Sequence, residues 1–335
     1  FPAYVMAFCQ YLAGGSQFGA YLFYIGGVCF LGACVWPFIG RGFNRPYLGA
    51  FIGLLWFFIP NNLCAIFIEG NLARSLSMIF LPVFIYSVYK YLYNHKLRYI
   101  PLMVFTFLLM ELCHLGYAGM AAIAVIIYGI VYMIQKGRKK AVLDVVISMI
   151  FGFMLLGIWL VASLRGGITS LDNSENMANF FQNLWITINP FERLTRGFEY
   201  FYFGFAALVV IVFGILFGYK KSRTGFVTGF IILLMTTKSA YAVLKHLPGS
   251  QYLWMLRFIS IALCMILMSF LMWDRLKKTL VLMLCVLLVV DTIPSLSLIV
   301  GEHIDISVQE RMAARQDSTL ISSAQAVTKQ RLALM

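Results

Sequence analysis

The sequence predicts an all-α, polytopic integral membrane helix bundle of about ten to eleven transmembrane helices. Three observations carry that prediction. Mean hydropathy is +0.87, with 30 Phe, 18 Tyr and 17 Met and only 12% charged residues, a composition foreign to soluble domains. Apolar runs of roughly 20 residues, enough to cross a hydrocarbon core of about 30 Å, recur along the chain between short charged turns. The runs lack the alternating ten-residue pattern of outer-membrane strands, so they read as helices.

A short apolar segment at 1–14 precedes expected spans at 17–40, 46–62, 73–92, 99–115, 117–135, 141–164, 201–219, 224–244, 251–273 and 279–298. Alternate connections hold the basic clusters "RGFNR", "KYLYNHKLR", "KGRKK", "KKSR" and "DRLKK". Fifteen of the 26 Lys and Arg residues fall on that side, seven on the other as far as Arg257, and four after residue 301. Cytoplasmic loops carry such an excess, so the reading is a multi-pass protein of the plasma (inner, cytoplasmic) membrane. Of the 13 acids only Asp144 and Asp274 share the basic side, which turns the acidic chemistry and the active face outward. The net charge of +13 is therefore a signature of topology, and nucleic acid is not an expected partner. Seven cysteines, an odd number seated mostly in apolar runs, form neither a disulfide framework nor a zinc spacing and read as small buried apolar residues.

Tyr and Trp crowd span ends, as in "YFYFG" and "QYLWML", like an interfacial belt. In the outer loop 165–200, Met177, Phe180, Phe181, Leu184, Trp185 and Ile188 keep helical spacing, with Asp172 and Ser174 as N-cap oxygens and Pro190 as a stop. This predicts an amphipathic helix on the outer leaflet, covering a cavity or anchoring the loop. Residues 1–300 form the expected transmembrane domain. Residues 301–335 form an extracellular tail, helical from about 307 to 329 and ending in the strand-like "QRLALM". The chain opens at "FPAYVMAFCQ" without Met and reads as part of a longer protein.

The candidate chemistry sits in outer turns and helix ends. In "IEGNLARSLSMIFLP", Gly70 lets the chain reverse, Asn71 caps the next helix, and Arg74 lies in its first turn, where a cation opposes the helix dipole. Glu69 and Arg74 are either an interfacial ion pair or a working pair, with Glu69 as base or metal ligand and Arg74 holding a phosphate in its planar fork of donors. Glu111 and His114, three apart in "LLMELCHLGYAG", share a helix face and form either a structural pair or part of a substrate or metal site. Lys245 and His246 in "LKHLPG", with Arg257 in "YLWMLRFISIA", make a cationic rim, with Arg257 either snorkelling to headgroups or receiving a lipid phosphate. Asp291, near the outer end of the last span, is equally open. A divalent metal is the one cofactor these residues leave open. No Walker loop, G-x-S-x-G elbow, H-E-x-x-H helix or Rossmann glycine set occurs, so soluble-enzyme chemistry has no support.

"FPAYVMAFCQYLAGG" resembles the proline-and-aromatic helix that follows the first outer loop in the GT-C superfamily of membrane glycosyltransferases. The order "EGNLARSLSMIFLPVFIYSVYKYL", "MVFTFLLMELCHLGYAG", "LPGSQYLWMLRFISIA" is similar to a bacterial branch, the 6-pyruvoyl-tetrahydropterin synthase-related membrane family, itself similar to YfhO-type proteins. The resemblance implies a GT-C-like fold, no soluble pterin chemistry, and a polyprenyl phosphate or pyrophosphate-linked sugar donor among membrane lipids, used to modify a cell-envelope acceptor. It also implies a main catalytic acid in a loop before Phe1, an extracellular domain after the last span, and a basic residue holding the donor phosphate. Arg257 fits that basic role, with Glu69 near the acceptor or a metal. Two other functions stay open: an envelope-lipid transporter or flippase, and a non-catalytic scaffold for an extracellular domain.

Overall fold

The first five helices begin where Pro, Ser or Asn interrupts apolar sequence. The computed structural model describes residues 1–67, 69–157, 188, 202–246, 255–273 and 276–295. Pro2 opens α1 (Pro2–Leu12), at a position where its missing N–H leaves no bond unmade. Gly14 and Gly15, at φ +61° and +87°, turn the chain into α2 (Gln17–Gly42), whose first turn is closed by Gly19 N donating to Ser16 Oγ at 3.1 Å. Pro46 opens α3 (Pro46–Trp56) and Pro60 opens α4 (Pro60–Phe67). Asn71 caps α5 (Leu72–Asn94) by accepting from Arg74 N at 2.9 Å. The others among the described residues are α6 (Tyr99–Lys136), α7 (Lys139–Leu155), α8 (Phe205–Phe217), α9 (Lys220–Met235), α10 (Lys238–Leu244), α11 (Met255–Met272) and α12 (Lys278–Val290).

α6 has 38 residues, and a straight helix of that length reaches about 55 Å. Both its ends nevertheless meet the same end of α5. Tyr99 stands edge-on to Tyr86 with ring centroids 6.1 Å apart, and Tyr132 Oη donates to Leu92 O at 2.6 Å. The reversal lies at His114, whose φ of −153° and ψ of 93° leave the helical region. α6 is therefore a helical hairpin, two antiparallel segments where the sequence reading expects the spans 99–115 and 117–135.

The basic connections gather at one end of the bundle. Lys90 Nζ donates to Gly42 O, Tyr93 Oη donates to Lys221 O at 3.0 Å, Thr224 Oγ1 donates to Gln135 Oε1 at 2.6 Å, and Arg138 meets His95. Trp273, just before the fifth basic segment, packs on Phe226 with centroids 5.7 Å apart. These contacts define a basic end, and the turn at His114 lies at the opposite end.

α11 is apolar on all sides and 89% of its span is buried, which suits the centre of a bundle. α5 is 72% buried, whereas α2 and α12 are 28% and 33% buried and present Phe18, Leu22, Phe30 and Phe38, or Leu282, Val286 and Val289, outward. Glycine allows α2 and α3 to touch backbone to backbone. A Cβ on Gly49 would lie 2.4 Å from Trp36 O, and one on Gly53 2.3 Å from Ala33 O, the close approach that small residues permit in membranes.

Not every expected span is one uninterrupted helix. Among the described residues five helices are long and apolar enough to cross a membrane, or six if α3 and α4, bent by 46°, count as one. Pro60 cannot extend the hydrogen-bond ladder of α3, which breaks the run 46–62. The run 224–244 breaks at Thr236 and Thr237, whose hydroxyls donate to Leu233 O and Leu234 O at 2.7 Å and compete with the backbone ladder. The expected amphipathic helix 177–188, Ile188 apart, and the tail 301–335 lie outside the described residues.

Gly49→Ala is expected to lower stability by about 1–3 kcal/mol, since its Cβ meets backbone. Gly26→Ala, where nothing lies within 4 Å, serves as the control and leaves stability unchanged or raised. Denaturation of both variants in one detergent checks this.

Candidate functional site

At the end opposite the basic connections, the chain doubles back over α4. Glu69 N donates to Cys64 O and Asn71 N to Ala65 O, both at 2.9 Å, satisfying carbonyls that the helix end leaves open. Gly70 takes φ +59° to make the turn, a conformation that glycine adopts without strain. The result sets Glu69 against the first turn of α5, beside Arg74.

Arg74 has no exposed surface. Its Nη1 donates to Glu69 Oε1 and its Nη2 to Asn61 Oδ1, both at 2.8 Å, and its guanidinium carbon stands 5.7 Å from the Tyr117 ring centroid. Asn61 Nδ2 in turn donates to Leu256 O at 3.0 Å, tying α4 to α11 one residue before Arg257. A cation in the first turn of α5 works against the helix dipole. Here the adjacent carboxylate and aromatic face offset that repulsion.

The α6 turn completes the cluster. His114 Nδ1 accepts from Tyr117 N at 3.2 Å, and Nε2 lies 3.2 Å from Arg257 Nη1. Tyr117 Oη and Ser260 Oγ share a hydrogen bond at 2.8 Å, and Ser260 Oγ donates to Arg257 O at 3.0 Å. A neutral imidazole that accepts at Nδ1 carries its proton on Nε2. That nitrogen lies against the Arg257 guanidinium, which brings α6 and α11 together at this point. Arg257 also lies within electrostatic range of Glu69 and Arg74.

Glu69, Arg74, His114 and Arg257 are thus brought together. The other expected residues are not in this network. Glu111 is buried, and its Oε2 has no hydrogen-bond partner among the described residues. The break at His114 removes the shared helix face expected for Glu111 and His114, and no hydrogen bond joins them among the described residues. Lys245 and His246 are exposed in the turn after α10, and the hydrogen bonds described above do not include them. Asp291 serves the fold, accepting from Tyr202 Oη at 3.1 Å, Ala206 N at 3.0 Å and Ala207 N at 2.9 Å and so clasping the start of α8 to the end of α12. Gly204, at φ +110°, leaves room for that carboxylate, since a Cβ there would lie 2.1 Å from Asp291 Oδ2.

The described residues offer a divalent metal few ligands. They contain no group of three or more His, Cys, Asp or Glu side chains able to share an ion, and Arg74 already engages the Glu69 carboxylate. Three members of the cluster escaped the sequence reading. Asn61 had a usable signal, since two adjacent asparagines in the apolar "FFIPNNLC" are costly in a membrane unless they bond to something. Tyr117 and Ser260 had none, because Tyr at a span end reads as interfacial belt and a single Ser within a helix is unremarkable.

Fold and site together define a polytopic α-helical membrane protein with a buried ionic cluster at the end opposite its basic connections. The chain belongs to the 6-pyruvoyl-tetrahydropterin synthase related domain family of membrane proteins, which it matches over residues 1–299. No curated protein and no solved structure matches it.

Replacing Arg74 by Met leaves the Glu69 carboxylate and Asn61 Oδ1 without their donor. The expected cost is about 3 kcal/mol, at the lower end for a broken buried pair, because the Glu69 side chain keeps 17% exposure. Arg257→Ala, at a half-buried position, costs less, and denaturation of the two variants in one detergent orders them.

Proposed function

We propose that this protein is a glycosyltransferase-like membrane protein that takes a sugar from a polyprenyl-phosphate-linked donor to a cell-envelope acceptor, with the ionic cluster receiving the donor phosphate. The supporting observation is the meeting of His114 and Arg257, 3.2 Å apart on helices distant in sequence and backed by Arg74. Donor groups set in apolar surroundings stabilise charge that develops on a leaving phosphate. In this reading Arg257 and His114 touch the phosphate and Arg74 supplies positive potential behind them. Glu69 holds Arg74 in place, and serving as a base would require the Arg74 bond to open. The positive-inside rule puts the basic end in the cytoplasm and the cluster on the outer face of the cytoplasmic membrane, where such donors meet envelope acceptors.

A second reading draws on the 46° bend between α3 and α4. Helices broken within the membrane are a feature of transporters, so a flippase for the same class of lipid uses the same phosphate contacts without sugar transfer. The scaffold reading, in contrast, gives the cluster no ligand.

Two measurements test this. A membrane-impermeant thiol reagent applied to intact cells labels a cysteine at Lys245 and spares one at Lys139; the reverse pattern inverts the topology. Purified protein binds polyprenyl-phosphate-linked sugar, and Arg257→Ala weakens binding about tenfold or more, in line with a lost charged hydrogen bond of roughly 1.5–3 kcal/mol. Equal binding by the two proteins removes Arg257 from the phosphate site, and binding without transfer to any acceptor favours the flippase reading.

A further inference from the structure

Lys90, one turn before the end of α5, does not extend into water as a lysine near a helix end is free to do. Its Nζ lies 4.4 Å from the Phe43 ring centroid and 5.6 Å from that of Tyr86, and it donates to Gly42 O. Beside it a cleft of about 430 Å³ opens at the basic end, between the α2–α3 turn, the end of α5 and the start of α9. Lys90, Lys221 and Arg45 supply cations to its wall, while Asn44, Asn94 and Tyr93 supply amide and hydroxyl groups. No Asp or Glu among the described residues lines it.

Three cations on one wall repel one another, the more so where aromatic rings and a bundle end lower the local dielectric. A single anion in the cleft removes that repulsion and accepts from several donors at once. The volume lies in the range of small-ligand pockets and holds a phosphate with a short polar substituent. The cleft is also at the opposite end of the bundle from the cluster of Arg74 and Arg257, so its occupant is a different molecule from anything bound there.

We propose that this cleft binds a phosphate-bearing anion, either the headgroup of an anionic lipid in the leaflet at the basic end or a free phosphorylated solute. Lys90 is its inner ligand and Lys221, exposed at the mouth, its outer one. The assignment does not depend on the activity proposed above.

The full chain is placed in nanodiscs of phosphatidylcholine alone, and of equal parts phosphatidylcholine and phosphatidylglycerol, and lipids carried into native mass spectrometry are counted. Separately, inorganic pyrophosphate is titrated against thermal stability in neutral detergent. Wild type is expected to retain phosphatidylglycerol or to be stabilised by pyrophosphate, the first result naming a lipid and the second a solute. Lys221→Gln weakens the positive response about tenfold, the effect of one lost hydrogen bond to a charged group, and Lys90→Gln weakens it at least as much. Lys139→Gln and Lys140→Gln, exposed at the same end but outside this cleft, leave it unchanged. Should Lys90→Gln fail to fold, Lys221→Gln carries the test, being at the exposed rim. The proposal is overturned by the absence of both responses in wild type, or by an equal loss in Lys139→Gln and Lys221→Gln, which would mean general attraction to a basic surface.

Discussion

A guanidinium with no exposed surface holds this bundle end together. Taking a guanidinium out of water is costly unless its N–H groups find partners, and of these only Arg74 Nε has no hydrogen bond among the described residues. Glu69 and Asn61 engage Nη1 and Nη2 in hydrogen bonds at 2.8 Å, and Tyr117 provides a ring face. Each partner comes from a different element: the turn after α4, α4 itself, and the second segment of α6. Asn61 extends the network to α11 through Leu256 O. One buried charge thus determines how four segments meet, where apolar contacts alone would let helices slide.

The same constraint explains the α6 reversal. A helical hairpin leaves backbone groups at its turn without intrahelical bonds, and apolar surroundings offer none. His114 occupies that break and accepts from Tyr117 N, so the side chain replaces a missing carbonyl. Its other nitrogen then faces Arg257. Closing a backbone gap and meeting Arg257 are consequences of one ring in one position, which is why the site and the fold are hard to separate here. Asp291 plays the corresponding part between α12 and α8, supplying acceptors for the open N–H groups at the start of α8.

The two ends of the molecule have opposite electrostatic character for a physical reason. At the basic end, charges spread over connections within reach of water, and Arg41, Lys90 and Arg98 lean over the rings of Phe38, Phe43 and Tyr99. At the opposite end two guanidiniums and one carboxylate converge within the helix ends themselves. The first arrangement orients the protein in a membrane and the second concentrates potential at one place.

Composition and the spacing of apolar runs by themselves determined the membrane class, the helical architecture and the grouping of basic connections, because transfer into hydrocarbon depends on what each run contains and not on its neighbours. They also identified Glu69, Arg74, His114 and Arg257 as charged or titratable groups that an apolar chain keeps at a cost. Which of these meet was decided only by tertiary structure. The expected pairing of Glu111 with His114 assumed a regular helix, and one non-helical residue at 114 redirected His114 to a helix 143 positions away. Asn61, Tyr117 and Ser260 joined for the same reason: a hydrogen-bond network depends on distances that packing sets, and no local sequence pattern encodes them.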